Sequence, residues 1–519
     1  MKIKILLFTI LSVWMFSSCF KDEGNYDYIT LHPEFWGYVN SPTVYLGEEV
    51  EIHPIVSYGD LEDTTQVRFE WFIKDTIAST ERVLRFKGTV AETINCDIVT
   101  IHPNGLAYVY YFQIKVTSPY SQGWCLLYED GGESELAHIT SSTTTDEFTG
   151  EKVINYNLYK DIYKNINGSS LGSQPVKIME HYREEYKYDN QLLVIQRGGQ
   201  GCVELDGASL QKSLNTEKEF IDEQPPANFA PNDIVYLERF HFVWNSDGNI
   251  YTRLVPTPAD GWHLTAFNNT PLYIEKGMRV DQVLYTQYFM TDFVLLYDGL
   301  NKRLVPIGSR VATNTDGPGV LTMQSGVKYP EGFVNLTNFG DYELIYGSSC
   351  HDVGGSASVN DADFSMLLRD ASGKYTWQSF HVKFNKPNYY VTFPSTLTPI
   401  QEFPGGDLIT EKTKYWLFKQ RDYMFFTSGV NNDLLYYYDT SRGTIHLYKD
   451  FNGKEITAMH PNKGFTELGV GFADGTFKIF DVSEAVFISG QPKEIYSVDG
   501  IGKIVDVIYR YNKTGDHWK

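Results

Sequence analysis

The stretch WCLLYEDGGESELAHI, Trp124–Ile139, consists of an apolar strand, a turn of acidic residues and glycine, and a second strand. Apolar runs joined by such turns are typical of β-hairpins. The same pattern recurs downstream as QLLVIQRGGQGCVEL (191–205), FHFVWNSDGNIYTRLV (240–255), DFVLLYDGLNKRLVPI (292–307), FSMLLRDASGKYTWQSFHV (364–382), DLLYYYDTSRGTIHLYKDF (433–451) and LGVGFADGTFKIFDV (468–482).

These seven hairpins predict a β-propeller. Their starts lie roughly 35 to 70 residues apart, which suits four-stranded blades that carry loop insertions. About 395 residues shared among seven copies also gives a plausible blade length. An unrelated series of hairpins in a large sandwich or a β-helix would show the same pattern, and that alternative stays open. We predict an all-β chain with a propeller of about seven blades over residues 121–519.

A propeller must join its last blade to its first, because two open sheet edges would invite aggregation. The seventh hairpin ends at Val482, and the apolar, β-branched run KIVDVIYRY, Lys503–Tyr511, follows it near the C-terminus. We expect this run to pair with the strand WCLLYED and so complete the first blade.

A different strand pattern precedes the junction at Ser121–Trp124. The runs TVYLGEEVEIHPIVSY, VRFEWFIKD and LAYVYYFQIKVTS alternate apolar and polar residues, as a sheet with one buried face requires. Trp71 is the predicted core residue, and no cysteine pair flanks it, which excludes an antibody-type domain. We predict an immunoglobulin-like or PKD-like (polycystic kidney disease-type) β-sandwich over residues 31–120.

The N-terminus has the pattern of a secretory signal. Lys2 and Lys4 precede an apolar run, Ile5–Phe16, whose length of about twelve residues is below the roughly 20 that cross a bilayer as a helix. Ser17, Ser18 and Cys19 resemble a bacterial lipobox, although Phe16 stands where Leu is usual. We predict a signal peptide over residues 1–18; an ordinary signal peptide with an incidental cysteine is the alternative.

Cys19 is then the acylated first residue of a tether over residues 19–30. Several acyl chains on one cysteine anchor a protein stably, because each buried CH₂ contributes about 0.8 kcal/mol. Lys21, Asp22 and Glu23 resemble the charged signal that sends some lipoproteins to the outer face of the outer membrane, with a solvated linker as the alternative. We expect a lipid-anchored protein on the outer membrane, facing the cell exterior.

The amino-acid composition and net charge limit the fold class and the classes of binding partner. An aromatic fraction of 15% together with 43 Gly favours strands and turns. The net charge of −21 argues against nucleic acid and anionic headgroups, which need a basic patch. The remaining cysteines, Cys96, Cys125, Cys202 and Cys350, form no CxxC pair. We expect them to be buried free thiols, with one disulfide left open.

The start CFKDEGNYDY, the sandwich pattern and the junction SQGWCLLYEDGGESELAHI resemble the PKD-like family of surface lipoproteins. The resemblance covers the whole chain. It implies an N-terminal module followed by a propeller-like domain, with no established catalytic residues. It also implies a setting, because such proteins are often encoded beside a TonB-dependent transporter and its SusD-like lipoprotein, which import glycans or peptides.

Motifs for catalysis or metal binding are few. HExxH, HxH and GxSxG are absent. NDADF, Asn360–Phe364, has alternating acids but lacks the turn glycine of a calcium loop. In SCHD, Ser349–Asp352, adjacent residues on a strand point to opposite faces, which argues against a Cys/His pair. We predict no metal, no cofactor and no catalytic residues.

Two aromatic residues are the candidate ligand-binding side chains. Trp377 lies in the turn segment DASGKYTW and serves either the core or the rim of the propeller. Tyr437 is the middle residue of YYY, Tyr436–Tyr438, whose alternate rings point to opposite faces of a strand. Sugar sites use such rings as platforms, although strand packing explains them more simply.

These patterns favour a non-enzymatic accessory lipoprotein that captures or positions a glycan or peptide nutrient for TonB-dependent uptake. A surface hydrolase or lyase with a propeller active site is the second hypothesis, and an adhesion or envelope structural protein is the third. A pair of carboxylates that converge in the propeller funnel would favour the enzyme.

Overall fold

The computed structural model describes residues 31–90, 92–145, 150, 152–181, 191–237, 240–254, 265–273, 277–285, 293–309, 318–323, 325–349, 361–385, 390–392, 396–418, 422–462 and 464–510. The chain divides into two compact units, residues 1–117 and 118–519. The sequence-based boundary stands at residues 120 and 121.

The first unit is a β-sandwich. Its strands are β1 (Phe35–Tyr38), β2 (Thr43–Tyr45), β3 (Glu49–Ile52), β4 (Ile55–Tyr58), β5 (Arg68–Ile73), β6 (Thr76–Ser79), β7 (Leu84–Lys87), β8 (Thr93–Ile101) and β9 (Ala107–Thr117). A five-stranded sheet has the order β2-β9-β8-β5-β6, and two-stranded sheets pair β1 with β4 and β3 with β7. The three sheets share one apolar core.

Alternation in the sequence explains how this core forms. Along β8 and β9, alternate residues are buried, because successive side chains of a strand point to opposite faces. Trp71 is fully buried, packs edge to face on Phe112 and donates its indole N–H to the Glu81 carbonyl at 2.8 Å. The prediction of Trp71 as a core residue is confirmed.

The described residues of the second unit form seven sheets. Blade 1 comprises β10 (Gly123–Asp130), β11 (Glu133–Thr145), β12 (Lys152–Tyr159) and β38 (Lys503–Arg510); blade 2, β13 (Ser173–His181), β14 (Gln191–Gly198), β15 (Val203–Asp206) and β16 (Lys212–Asn215); blade 3, β17 (Pro231–Tyr236), β18 (Phe240–Asn245) and β19 (Ile250–Leu254); blade 4, β20 (Val280–Leu284), β21 (Phe293–Asp298), β22 (Arg303–Ser309) and β23 (Pro318–Val320).

The remaining blades follow in chain order. Blade 5 comprises β24 (Thr322–Met323), β25 (Glu343–Ser349), β26 (Asp361–Arg369), β27 (Tyr375–Asn385), β28 (Tyr390–Thr392) and β29 (Thr396–Glu402); blade 6, β30 (Tyr415–Phe418), β31 (Tyr423–Ser428), β32 (Leu434–Asp439) and β33 (Thr444–Asp450); blade 7, β34 (Ile456–Pro461), β35 (Glu467–Phe472), β36 (Phe477–Asp481) and β37 (Lys493–Val498).

Each of the seven predicted hairpins forms an antiparallel pair, and each pair belongs to a different blade. The apolar runs are buried, as in LLVI of β14 and VLLY of β21. The second unit is therefore a seven-bladed β-propeller, and the predicted all-β fold class is confirmed.

The C-terminal strand closes the ring. β38 pairs antiparallel with β10 from Gly123 opposite Arg510 to Glu129 opposite Lys503. It also lies against β34 of blade 7 and β13 of blade 2. The expected closure by KIVDVIYRY is confirmed over Lys503–Arg510, and the innermost strand of the first blade comes from the end of the chain.

Helical structure is minor in the described part of the chain. It consists of α1 (Ile162–Asn167), α2 (Glu484–Ser489) and short 3-10 turns at Thr64–Gln66, Thr216–Glu219, Ile221–Glu223 and Gly406–Leu408. Among the described residues, none of these helices has the length and apolar character needed to span a bilayer.

Candidate functional site

A cavity of about 260 Å³ lies where the innermost strands of the blades converge. Its lining includes residues of β13, β17, β20, β25, β30, β34 and β38, so every blade contributes. We call this cavity the chamber. Its volume is somewhat below the several hundred Å³ of typical small-molecule sites, and it suits one residue or one sugar unit of a ligand.

Three polar side chains from blades 2, 3 and 4 meet in the chamber. The Lys177 ammonium lies 2.5 Å from the Asp233 carboxylate and donates to the Tyr285 hydroxyl at 3.0 Å. The Tyr285 hydroxyl in turn donates to Asp233. Burial and the Asp233 carboxylate raise the pKa of Tyr285 well above its usual range. The phenol therefore stays protonated, and the Lys177–Asp233 pair is neutral overall.

Asp506 brings a second carboxylate into the chamber from the closing strand β38. Its Oδ2 accepts the backbone N–H of Ile178 at 3.0 Å, and its Oδ1 accepts that of Val507 at 3.0 Å. Burial deep in the domain raises the pKa of Asp506 to about 6, while the Lys177 charge and these N–H groups act in the opposite direction. The side chain is partly exposed, to the cavity that it lines.

Aromatic rings form much of the remaining wall. They are the partly exposed side chains of Trp244, Tyr285, Tyr346, Tyr415 and Trp416. The Tyr346 and Tyr415 rings stack with centroids 4.9 Å apart, and the Trp416 ring lies 4.3 Å from that of His460. Burial lowers the pKa of His460 to about 3, so its imidazole is neutral at physiological pH.

A second cavity, of about 620 Å³, is lined by residues that precede those of the chamber along β13, β34 and β38. Its residues Gln174–Val176 and Lys503–Val505 directly precede Lys177 and Asp506. Because a strand rises about 3.3 Å per residue, the two cavities are neighbours along β13 and β38. We call the second cavity the mouth.

Charged side chains of both signs line the mouth. Lys412 pairs with Glu455 at 2.9 Å, whereas Lys414, Lys503 and Glu129 lie on the cavity wall without an ion pair among the described residues. The mouth is thus more polar than the chamber and presents both donors and acceptors.

A further buried polar network joins blades 2 and 3. Arg253 donates to Glu219 and, at 2.9 Å, to His241 Nδ1. The Tyr236 hydroxyl donates to Glu204 at 2.8 Å. Burial and the nearby Glu219 charge raise the pKa of Glu204. All these side chains are enclosed, so the network stabilises the junction between blades and faces neither cavity.

The predicted anchor residues lie outside the described part of the chain. They are Cys19, Lys21, Asp22 and Glu23, together with the signal peptide over residues 1–18 and the tether over 19–30. Their roles stay predictions.

Trp377 lies in the core. Its ring is 1% exposed and packs edge to face on Tyr438 at 5.8 Å, between blades 5 and 6. This enclosure corrects the prediction of a ligand-binding role, because no ring face is left for a ligand; the core alternative holds.

Tyr437 is half-buried on the opposite face of β32 and stacks on His446 at 5.0 Å. It lines neither the chamber nor the mouth. The expected alternation of the YYY rings is confirmed, since Tyr438 packs on Trp377 and Tyr437 does not. The ligand-binding role of Tyr437 stays a prediction.

The weaker motifs lie partly outside the described residues. Asp363 of NDADF pairs with His381 at 2.6 Å, and most of SCHD is not described. Within the described ranges, no group of three or more His, Cys, Asp or Glu side chains is arranged to hold a metal ion. Cys96, Cys125 and Cys202 are free and buried, which confirms the expectation for these three thiols.

Sequence reasoning missed the residues that form the chamber. Lys177 and Asp506 each stand alone in an otherwise apolar strand, as in PVKIM and KIVDVIY. The sequence did contain one signal for these two residues, which is a single charged residue within a strand that should be buried. Charged residues are almost never fully buried without a partner. Asp233 and the chamber aromatics gave no comparable signal.

The fold and cavities define a seven-bladed β-propeller with an axial chamber, preceded by a β-sandwich. Residues 19–175 match the model of the PKD-like family, which confirms the resemblance inferred from the sequence. A search of curated proteins finds no match.

Similar solved structures share little sequence with this chain. A quinonprotein alcohol dehydrogenase-like protein of Bacteroides thetaiotaomicron is 14% identical, with a TM-score of 0.41 and coverage of 91% of this chain and 96% of that one. Sqt1 of Saccharomyces cerevisiae is 10% identical, with a TM-score of 0.36 and coverage of 61% and 74%. Scores this low support no argument about function.

Proposed function

We propose that this protein is a non-enzymatic surface lipoprotein that captures a glycan or peptide nutrient in its propeller. The observation that carries the proposal is the chamber, where partly exposed aromatic rings surround a small set of polar groups. Apolar walls with a few convergent polar groups are the usual composition of ligand sites.

The proposed setting is the outer membrane. Cys19 carries the lipid, Lys21, Asp22 and Glu23 direct the protein to the exterior, and the sandwich acts as a stalk. The captured ligand is handed to a TonB-dependent transporter with its SusD-like lipoprotein. The resemblance to the PKD-like family supports this setting.

A hydrolase is the second candidate, because two carboxylates line the chamber. Asp233 forms an ion pair with the Lys177 ammonium, whereas burial raises the pKa of Asp506 to about 6. A carboxyl group with a raised pKa suits a general acid, and a second carboxylate nearby suits a general base. In this candidate, Asp506 donates a proton to the leaving group and Asp233 accepts one from water.

A ligand screen tests both candidates. Full-length protein carrying Cys19→Ala is incubated with panels of glycans and short peptides; binding is followed by tryptophan fluorescence and products by mass spectrometry. We expect binding without turnover, and Trp416→Ala should weaken it at least tenfold because a ring face is lost.

Tyr111→Ala is the matched control, since Tyr111 is 74% exposed in the sandwich unit and its loss should leave affinity unchanged. Turnover that Asp506→Asn abolishes would establish the hydrolase and contradict the binding proposal. Failure of every panel member to bind, with the protein folded, would also contradict it.

The anchor is tested separately in cells. Cys19→Ala should release the protein from membranes or leave it unprocessed, because the thiol is the site of acylation. Replacement of Lys21, Asp22 and Glu23 by Ala should retain acylation but reduce cleavage by external protease. A Cys19→Ala protein that still fractionates with the outer membrane and has the wild-type N-terminus would disprove the lipid anchor.

A further inference from the structure

Asp506 is a carboxylate without a cation of its own. Both of its oxygens accept a backbone N–H, and among the described residues no Lys, Arg or His lies within ion-pair distance of it. The ammonium groups whose charges lower the pKa of Asp506 are those of Lys177 and Lys414. Lys177 is already paired with Asp233, and Lys414 lies at the mouth.

The other titratable groups that line the chamber or flank Asp506 on β38 do not supply the missing charge. His460 on β34 is neutral, and the Tyr285 phenol is protonated. Arg510, four residues along β38, forms a closed ion pair with Glu180 of β13. The chamber therefore carries one excess negative charge whenever Asp506 is ionised. An uncompensated charge in a low-dielectric site is costly, and a ligand cation would remove that cost.

The aromatic wall favours the same kind of ligand. Ring faces attract a cation through the negative potential of their π-electrons, by about 0.5–2 kcal/mol at one ring. Five partly exposed aromatic side chains line the chamber, and the Lys177 ammonium already lies 5.3 Å from the centroid of the Tyr285 ring. An anionic ligand group, in contrast, would meet the Asp506 carboxylate.

From this geometry we propose that the chamber binds a primary ammonium group, with Asp506 as its counter-ion and the aromatic rings around it. This inference rests on the proposed function, a capturing propeller, and specifies the chemistry that it recognises. Two nutrient classes carry such a group: peptides with a free N-terminus and glycans with an unacetylated amino sugar. The chamber accommodates the residue or sugar that bears the amine, and the larger mouth accommodates the next unit.

The proposal fixes a direction of pH dependence. A bound ammonium stabilises ionised Asp506, so protonation of the free chamber competes with binding. Because the pKa of Asp506 is raised to about 6, most of the free protein has a protonated Asp506 at pH 5 and an ionised Asp506 at pH 7. At pH 5 Asp506 must therefore lose a proton before the ammonium ligand binds, and the affinity should be about tenfold weaker than at pH 7. The α-amino group of a peptide, with a pKa of about 7.7–8.0, is mostly protonated at pH 7 and fully protonated at pH 5.

The test uses two pairs of probes with the full-length Cys19→Ala protein. One pair is a trialanine amide with a free or an acetylated N-terminus; the other is a glucosamine trimer with free or acetylated amines. Affinities are measured by calorimetry at pH 7 and pH 5. We expect at least tenfold tighter binding of the free amine in one pair, and the pair that shows it identifies the source.

Two variants assign the effect to the chamber. Asp506→Asn should remove the preference for the free amine and the loss of affinity at pH 5, whereas Asp407→Asn, at an exposed position of the same unit, should change neither. Thermal melting establishes that the variants fold. Trp416→Leu gives an independent readout, because loss of a ring should weaken the free amine more than the acetylated probe.

The outcomes separate this inference from the proposed function. Equal binding of free and acetylated probes would overturn the ammonium site but leave ligand capture standing. A preference that persists in Asp506→Asn would also overturn it. If neither probe pair binds but the broad panel contains a ligand whose binding Trp416→Ala weakens, the proposed ammonium site is wrong and the proposed ligand capture is supported. If no compound binds, both proposals are wrong.

Discussion

Deletion of the chain after Gly500 should abolish cooperative folding of the propeller. The deletion removes β38, which is the inner strand of blade 1 and pairs with β10 along its length. It also removes the buried side chains of Ile501, Ile504, Val507 and Ile508. At about 1.5–3 kcal/mol for each buried aliphatic side chain, the loss approaches the 5–15 kcal/mol that stabilises a typical domain. The exposed edge of β10 would add a tendency to aggregate.

A shorter deletion is the matched control. Removal of residues 511–519 leaves every described strand in place, and such a protein should melt as the wild type does. Both variants are compared by circular dichroism and calorimetry. A Gly500 truncation with a wild-type melting transition would show that β38 is not needed to close the ring.

The second large effect is expected at the ion pair between Arg510 and Glu180. Arg510 Nη2 lies 2.8 Å from Glu180 Oε1, and the two side chains are 1% and 0% exposed. Arg510 also donates to the carbonyls of Tyr120 and Gly207. Arg510→Ala should lower the free energy of unfolding by about 3–5 kcal/mol, because it removes the cation that faces the fully buried Glu180 carboxylate.

An exposed ion pair provides the control. Arg369 and Glu343 form a bridge of 2.6 Å, but their side chains are 43% and 52% exposed, so Arg369→Ala should cost less than about 1 kcal/mol. The double change Arg510→Met with Glu180→Gln should cost less than Arg510→Ala alone, because the buried carboxylate charge is removed together with the guanidinium. Urea unfolding measures all three. A cost for Arg510→Ala no larger than that for Arg369→Ala would contradict the role of this pair.

The hairpins were predictable because their determinants are local. In WCLLYEDGGESELAHI, the apolar runs and the turn between them lie within sixteen residues, and strand pairing across so short a turn needs little information from elsewhere. The same holds for Trp71, whose alternating neighbours identified a strand with one buried face. Closure by β38 was also predictable, since a ring of blades must end on its first sheet.

The environment of Trp377 could not be predicted from the neighbouring sequence. An aromatic residue after a turn suits a core position and a surface platform equally well, and the choice depends on whether another blade covers it. Here Tyr438 of blade 6 covers it, and no pattern within the segment DASGKYTW indicates that neighbour.

The sequence by itself determined the strands, their pairing into hairpins and the closing strand, because side-chain alternation and turn chemistry act over a few residues. Only the tertiary structure decided the chamber. Lys177, Asp233 and Asp506 lie far apart in the sequence. They meet because the innermost strands of all seven blades line the same chamber. The chemistry of the site follows from that convergence: burial raises the pKa of Asp506 and places Lys177 against Asp233, and neither the depth of burial nor the partner is encoded near either residue.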